Sequence, residues 1–132
     1  DLHSFPTRRS SDLWSFIGEI LDVDPDSIRP ETFLIRDLGA ESIDLLEIGV
    51  AIQHRLGVAV DDDALFLKDA PVIIHQHEPD GADETLAALA RAYPHLGGER
   101  LARIPADMAQ GPILQVADLL AYVRFATENG RT

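Results

Sequence analysis

The sequence predicts an all-α fold. Three segments place apolar residues three and four positions apart, the spacing of one helix face, and they cover about residues 14–21, 42–56 and 114–127. The residues between these segments are dense in proline, glycine and aspartate, which favour turns and short helices. Pro71 to His75 has strand-like composition but no evident partner strand, so we expect an extended connector there.

The composition limits the class of protein. With 132 residues, the chain has room for one domain with a sizeable core. The lack of cysteine excludes disulfides, thiolate metal ligands and a cysteine nucleophile. A net charge of −12 argues against nucleic acid or an anionic membrane as the main partner, because both attract basic surfaces. We expect a cytoplasmic monomer.

The first thirteen residues have no helical or strand periodicity. Residues 3–13 resemble the translation of a common short-read sequencing adapter, so we expect residues 1–13 to be a non-native segment. Ser11 or Asp12 would then cap the next helix only by accident. The alternative is a natural disordered arm.

The first helix is predicted over residues 14–21, with Trp14, Ile17, Ile20 and Leu21 on one face. A loop rich in turn residues follows it. Four apolar residues of this loop are expected to reach the core: Val23, Ile28, Phe33 and Leu34.

The stretch 37–47 leads into the central helix. Gly39 can take a positive φ or allow a close approach in the turn. Ser42 is a good N-cap residue, so we expect a helix from Ser42 to Leu56, ended by Gly57 in the left-handed conformation. The Ser42 hydroxyl would then lie on the surface, where free N–H groups and the helix dipole favour an attached phosphate.

The central helix carries more apolar residues than packing on one side requires. Its main stripe consists of Leu45, Ile48, Ile52 and Leu56. We therefore expect some of the remaining apolar residues to stay exposed as partner contacts: Ile43, Leu46 and Val50. Residues 37–63 hold seven acidic residues and one basic residue, which is half of the net charge. This charge indicates either a solvated helix face or a docking surface for basic partners.

The second half of the chain is predicted to consist of shorter pieces. Residues 58–60 are extended, and Asp61, Asp62 or Asp63 caps a short helix that contains Leu65 and Phe66. Residues 70–112 contain five prolines and four glycines, which exclude one long helix. In this segment we expect a helix over 83–93 with an inner face of Leu86, Leu89, Ala90 and Tyr93.

Two further pieces complete the predicted elements. A turn or two over 99–104 should bury Leu101 and Ile104, and Pro105 can open another turn through Met108. The closing helix over 114–127 should face the core with Val116, Leu119, Leu120 and Val123.

The histidines and Ser42 raise two alternatives, a metal site and a hydrolase site. His75-Gln76-His77 lies near Glu78 and Asp80, and an H-x-H pair on an extended chain projects both rings to one side. No second cluster completes such a site, so we favour a polar loop and expect no metal. A serine hydrolase is weaker still, because no G-x-S-x-G elbow and no strand precede Ser42. We expect no catalytic residue.

Four motifs together resemble an acyl carrier protein. They are Val23-Asp24-Pro25, Asp37-Leu38-Gly39-Ala40-Glu41-Ser42-Ile43, Leu56-Gly57-Val58 before an acidic helix start, and Val116-Ala117-Asp118-Leu119-Leu120-Ala121-Tyr122-Val123. The resemblance covers residues 14–66 and 113–125. It implies an acyl-carrier-like four-helix bundle over 14–132, in which about 70–112 is a helical insertion before the last helix.

The resemblance also implies the chemistry. Ser42 would bear 4′-phosphopantetheine, transferred from coenzyme A by a phosphopantetheinyl transferase, and the arm would hold acyl groups as thioesters. Fatty acid, polyketide and related pathways use such carriers. Acyl-transferring and condensing enzymes with basic patches would dock on six residues: Asp37, Glu41, Ile43, Asp44, Glu47 and Val50.

Two features depart from the family pattern. Glu41 replaces the usual aspartate before the serine, and Gln53, His54 and Arg55 stand where many members are acidic. These departures keep a second hypothesis open, a carrier-like interaction module that is unmodified at Ser42 and binds its partner through the insertion.

Overall fold

The computed structural model describes residues 8–129, and within this range the chain forms seven α-helices. These are α1 (Arg8–Leu21), α2 (Ser42–Leu56), α3 (Asp62–Leu65), α4 (Ala70–His77), α5 (Ala82–Ala92), α6 (Gly98–Met108) and α7 (Val116–Asn129). One isolated β-bridge joins Phe33 and Gln115. The all-α prediction is confirmed. What we predicted for residues 1–7 lies outside the described residues.

Helix α1 is longer than its predicted span. It begins at Arg8, so Ser11 and Asp12 lie inside the helix and the prediction that one of them caps it is wrong. Leu13, Phe16 and Ile17 are fully buried. Leu13 therefore contributes to the core although it belongs to the segment that we expected to be non-native. The adapter origin of that segment stays a prediction.

The loop between α1 and α2 is hydrogen-bonded to α1 and to the start of α7. The Trp14 indole N–H donates to the Ile28 carbonyl at 3.0 Å. The backbone of residues 30–34 is bonded to the start of α7, through Leu34 N to Leu114 O at 3.0 Å and Val116 N to Thr32 O at 3.0 Å. Of the four loop residues predicted to reach the core, two are buried and two are half-buried: Ile28 and Leu34, then Val23 and Phe33.

Helices α2 and α3 follow the prediction. Helix α2 covers the predicted span, and Gly57 ends it with φ of 66°, a left-handed conformation that glycine adopts without steric cost. Asp61 caps α3, because its carboxylate accepts a hydrogen bond from the Asp63 N–H at 3.1 Å. Leu65 is fully buried and Phe66 nearly so.

The predicted extended connector at 71–75 is wrong, because these residues belong to helix α4. Pro71 lies in the first turn, where a missing N–H costs no helical hydrogen bond. Ala70 and Ile74 lie one turn apart and are both buried. Packing of this face therefore outweighs the strand preference of the valine and isoleucine residues.

Helices α5 and α6 confirm two predicted pieces and correct their details. In α5 Leu89 is buried, but Ala90 is exposed and Thr85 and Ala88 are buried instead. Helix α6 continues through Pro105 to Met108 and does not restart there. Leu101 and Ile104 are buried as predicted.

All these helices share one hydrophobic core. Several residues of segment 70–112 are buried in the same cluster as Phe16 of α1 and Ile48 of α2. They include Leu89, Tyr93, Leu96, Leu101 and Ile104. On α7, Val116, Leu119 and Val123 are fully buried and Leu120 is half-buried, as predicted. Segment 70–112 is thus packed into the fold. In residues 8–129, no helix is both long enough and apolar enough to cross a membrane.

Candidate functional site

Ser42 is exposed and is the first residue of α2. The prediction that Ser42 is itself the N-cap is wrong, because the cap is Glu41, which has extended backbone angles (φ −107°, ψ 171°). The Glu41 N–H donates to the Asp44 carboxylate at 2.8 Å, a bond that closes the first turn. Glu41 and Asp44 therefore order the first turn, on which the Ser42 side chain is exposed.

The backbone N–H groups of the first turn of α2 lie next to this position. The first helical bond runs from the Leu45 N–H to the Glu41 carbonyl at 3.0 Å. The Asp44 N–H is bonded to the Glu41 side chain, so the Ser42 and Ile43 N–H groups are those left without an acceptor in the helical ladder. Together with the helix dipole they favour a phosphate on the Ser42 hydroxyl.

The turn before α2 is compact. The Gly39 N–H donates to the Ile35 carbonyl at 3.1 Å, and the Ala40 N–H donates to the Leu34 carbonyl at 3.0 Å. Gly39 has φ of 70°, and a Cβ there would meet no atom within 4 Å. Glycine is therefore needed for its backbone conformation, and the alternative of a close approach does not hold. Ala40 is buried and anchors the turn.

The predicted acidic residues surround Ser42 on the surface. Asp37, Glu41 and Glu47 are exposed, and Asp44 is half-buried. Asp37 also orders the turn, since its carboxylate accepts the Phe33 N–H at 2.9 Å. The charges of these acidic residues produce a negative field that salt screens over about 10 Å at an ionic strength of about 0.1 M.

The expected apolar contacts on α2 are exposed. Ile43, Leu46 and Val50 are 63%, 58% and 49% exposed, and they lie three and four positions apart along one side of the helix. Ile48, Ile52 and Leu56 form the buried stripe, while Leu45 is half-buried. An apolar strip with acidic neighbours is suited to a partner that offers both apolar and basic groups.

The C-terminal end of α2 differs from its beginning. Gln53, His54 and Arg55 are exposed. The Arg55 guanidinium is 3.2 Å from the Glu19 carboxylate of α1 and lies 5.5 Å from the centre of the Phe16 ring. Arg55 therefore contacts α1 and does not extend the acidic surface.

The geometry behind the metal interpretation is wrong. His75 and His77 belong to helix α4, where residues two positions apart point about 200° away from each other around the axis. Among the described residues, no group of three or more histidine and carboxylate side chains is arranged to hold a metal ion.

A buried ion pair was missed by the sequence reasoning. Arg100 of α6 donates through Nε and Nη2 to the two carboxylate oxygens of Asp118, each at 2.8 Å, and through Nη1 to Asp107 at 2.8 Å. Asp118 also accepts the Gln115 N–H at 2.9 Å, which caps α7. These charged residues lie 7 and 18 positions apart, so no local pattern could have indicated the pair.

A second missed group is His95, in the loop between α5 and α6. Its ring meets Tyr122, Tyr93 and Phe125, with centroids 5.3, 6.1 and 6.4 Å away. Its Nε2 atom is buried and has no hydrogen-bond partner among residues 8–129. Burial lowers the pKa of His95, and the charge of Asp118 opposes this only in part.

Comparison with known proteins identifies the class of this site. The family model described as "Phosphopantetheine attachment site" matches residues 13–72, a range that includes Ser42 and the turn before it. The match indicates a covalently attached 4′-phosphopantetheine, and the exposed hydroxyl at the first turn of α2 fits such a group.

The similar proteins specify the family. The chain is 41% identical over 58 residues to the acyl carrier protein of Nitratidesulfovibrio vulgaris strain DP4, covering 41% of this chain and 76% of that protein. It is 34% identical over 66 residues to the acyl carrier protein of Zymomonas mobilis subsp. mobilis, covering 47% and 85%. With the acyl carrier protein of Helicobacter pylori strain G27 the values are 36% over 52 residues, 39% and 67%. The chain belongs to the acyl carrier protein family. The search of solved structures found no match.

Proposed function

We propose that this protein holds acyl intermediates on a phosphopantetheine arm at Ser42 and presents them to biosynthetic enzymes. The observation that carries the proposal is an exposed serine on the first turn of α2, inside the range that matches phosphopantetheine attachment sites. The arm supplies a terminal thiol on which an acyl group is held as a thioester.

The residues around Ser42 serve attachment and docking, and none of them is assigned a catalytic step. Free N–H groups of the first turn stabilise the phosphodiester charge. A phosphopantetheinyl transferase provides the arm from coenzyme A. The transferase docks on the carrier, and so do the acyl-transferring and condensing enzymes of a fatty acid, polyketide or related pathway. Basic patches on these enzymes contact six residues of the carrier: Asp37, Glu41, Ile43, Asp44, Glu47 and Val50.

We further propose that residues 14–132 act as one carrier domain with a helical insertion at about 70–112, and that the protein is a cytoplasmic monomer without enzymatic activity. The shared core supports the single domain. The match to phosphopantetheine attachment sites favours the carrier over an interaction module that is unmodified at Ser42.

Intact-mass spectrometry tests the attachment. The protein is co-produced with a transferase of broad specificity, alone and as Ser42→Ala, with Ser15→Ala as a matched control, because Ser15 is also an exposed serine in a helix. We expect a mass gain of one phosphopantetheine in the wild type and in the control, and none in Ser42→Ala. An unmodified wild type, with a transferase that modifies another carrier in the same cells, would contradict the proposal.

A further inference from the structure

We propose that Arg36 is a positioning residue that fixes the turn before Ser42 against the end of α6, so that segment 70–112 controls how the serine is presented. This inference rests on the proposed function of Ser42. It assigns a task to a residue that lies next to the attachment motif and donates two hydrogen bonds to carbonyls more than 70 positions further along the chain.

Arg36 is held by three contacts. Its Nε donates to the Pro112 carbonyl at 2.8 Å, and its Nη2 donates to the Asp107 carbonyl at 2.8 Å. Its guanidinium carbon lies 3.9 Å from the centre of the Phe33 ring. A planar guanidinium can bind two carbonyls and stack on a ring at the same time, whereas the ammonium group of a lysine cannot. The arginine therefore fixes both the distance and the angle between the turn and the end of α6.

The far end of this contact is rigid. Asp107 lies in the last turn of α6, and its carboxylate is bonded to Arg100 at 2.8 Å. Arg100 is bonded in turn to Asp118, which is 1% exposed and caps α7. The carbonyls that Arg36 binds thus belong to a backbone that the buried ion pair ties to α7.

The hydrogen-bonded turn after Arg36 connects this contact to Ser42. Six positions separate Arg36 from Ser42, and hydrogen bonds close the turn between them. Besides the Gly39 and Ala40 bonds already described, the Asp37 N–H donates to the Phe33 carbonyl at 2.9 Å. Because Phe33 also contacts the Arg36 guanidinium, releasing Arg36 loosens the same turn that ends at the Glu41 cap.

A looser turn makes docking harder and leaves the chemical step unchanged. The transferase must then order the turn when it binds, and this cost raises KM. The reacting hydroxyl of a bound carrier is the same in both cases, so kcat changes little. A change in KM without a matching change in kcat separates positioning from a simple loss of folded protein.

The test compares Arg36→Gln, Arg36→Lys and Arg29→Gln. Arg29 is an exposed arginine at the start of the same loop region, so its replacement removes an equal charge. A purified transferase and coenzyme A modify each variant, and hydrogen exchange by mass spectrometry follows residues 35–41. Thermal unfolding sets a temperature at which every variant is folded.

For Arg36→Gln we expect KM to rise about fivefold to tenfold, kcat to stay within about twofold, and residues 35–41 to exchange about tenfold faster. Arg36→Lys should lie between this variant and the wild type, and Arg29→Gln should match the wild type. Unchanged KM and exchange in Arg36→Gln would overturn the inference, and so would a loss of rate that only follows the folded fraction. If the wild type gains no phosphopantetheine, the proposed function fails, and faster exchange in Arg36→Gln alone then decides whether Arg36 orders the turn.

Discussion

The buried Arg100–Asp118 pair gives the sharpest test of the fold. Asp118→Asn keeps the shape of the side chain but removes its charge and one of its acceptor oxygens, which serve Arg100 and the Gln115 N–H. Breaking a buried ion pair from one side costs roughly 3–5 kcal/mol, because the other charge stays buried. Asp107 remains 2.8 Å from Arg100 and compensates part of this cost. We therefore expect Asp118→Asn to lower the free energy of unfolding by about 3 kcal/mol.

The assay is urea unfolding followed by circular dichroism, with Glu19→Gln as the matched control. That substitution makes the same chemical change in the exposed Arg55–Glu19 pair, where both side chains are more than half exposed. Because solvent screens this pair, Glu19→Gln should lower the free energy of unfolding by less than about 1 kcal/mol. The Tm of Asp118→Asn should fall by about 10 °C. Equal losses in the two variants, within about 0.5 kcal/mol, would refute the reasoning that burial sets the value of the pair.

Two further predictions concern pH and docking. Burial lowers the pKa of His95 in the native protein. As the pH falls below about 6.5, the unfolded chain therefore binds a proton at His95 before the native protein does, and the free energy of unfolding decreases. This loss continues until the pH has fallen through the lowered native pKa. His95→Phe should flatten this acid-side slope in urea unfolding between pH 7.5 and 5.5, and the exposed control His54→Gln should keep it; equal slopes would exclude His95 as the cause. Glu47→Lys on α2 should raise the KM of the transferase about fivefold, whereas Glu84→Lys, an equal charge reversal in α5, should leave it unchanged. Similar KM values in the two variants would argue against docking on α2.

The sequence was sufficient for the site helix because its signals are local. Periodic apolar residues and Gly57 define α2, and an apolar stripe wider than the buried face predicts the exposure of Ile43, Leu46 and Val50. The cap was misplaced by one residue because serine is a preferred N-cap residue and glutamate is not. In the structure the Glu41 N–H donates to the Asp44 carboxylate, and Ser42 is the first residue of the helix.

The remaining features depend on contacts between distant residues. Helix α4 was missed because valine and isoleucine favour strands in isolation, and only the burial of Ala70 and Ile74 decides for a helix. Arg36 and Arg100 look like ordinary surface charges in the sequence. The hydrogen-bond partners of Arg36 lie 71 and 76 positions away, and the carboxylate partners of Arg100 lie 7 and 18 positions away, so their roles could be recognised only once the helices were packed.

The hydrogen bonds between residues 30–34 and the start of α7 have a consequence for how the protein is made. During translation, a nascent chain that has emerged only through α2 already contains Ser42 and its motif. It still lacks Leu114, Val116 and the two carbonyls that bind Arg36. The turn cannot make these hydrogen bonds until about residue 117 has left the ribosome, because the residues that bind it are synthesised later. Full ordering of the turn before Ser42 therefore follows synthesis of the segment that ends at the start of α7.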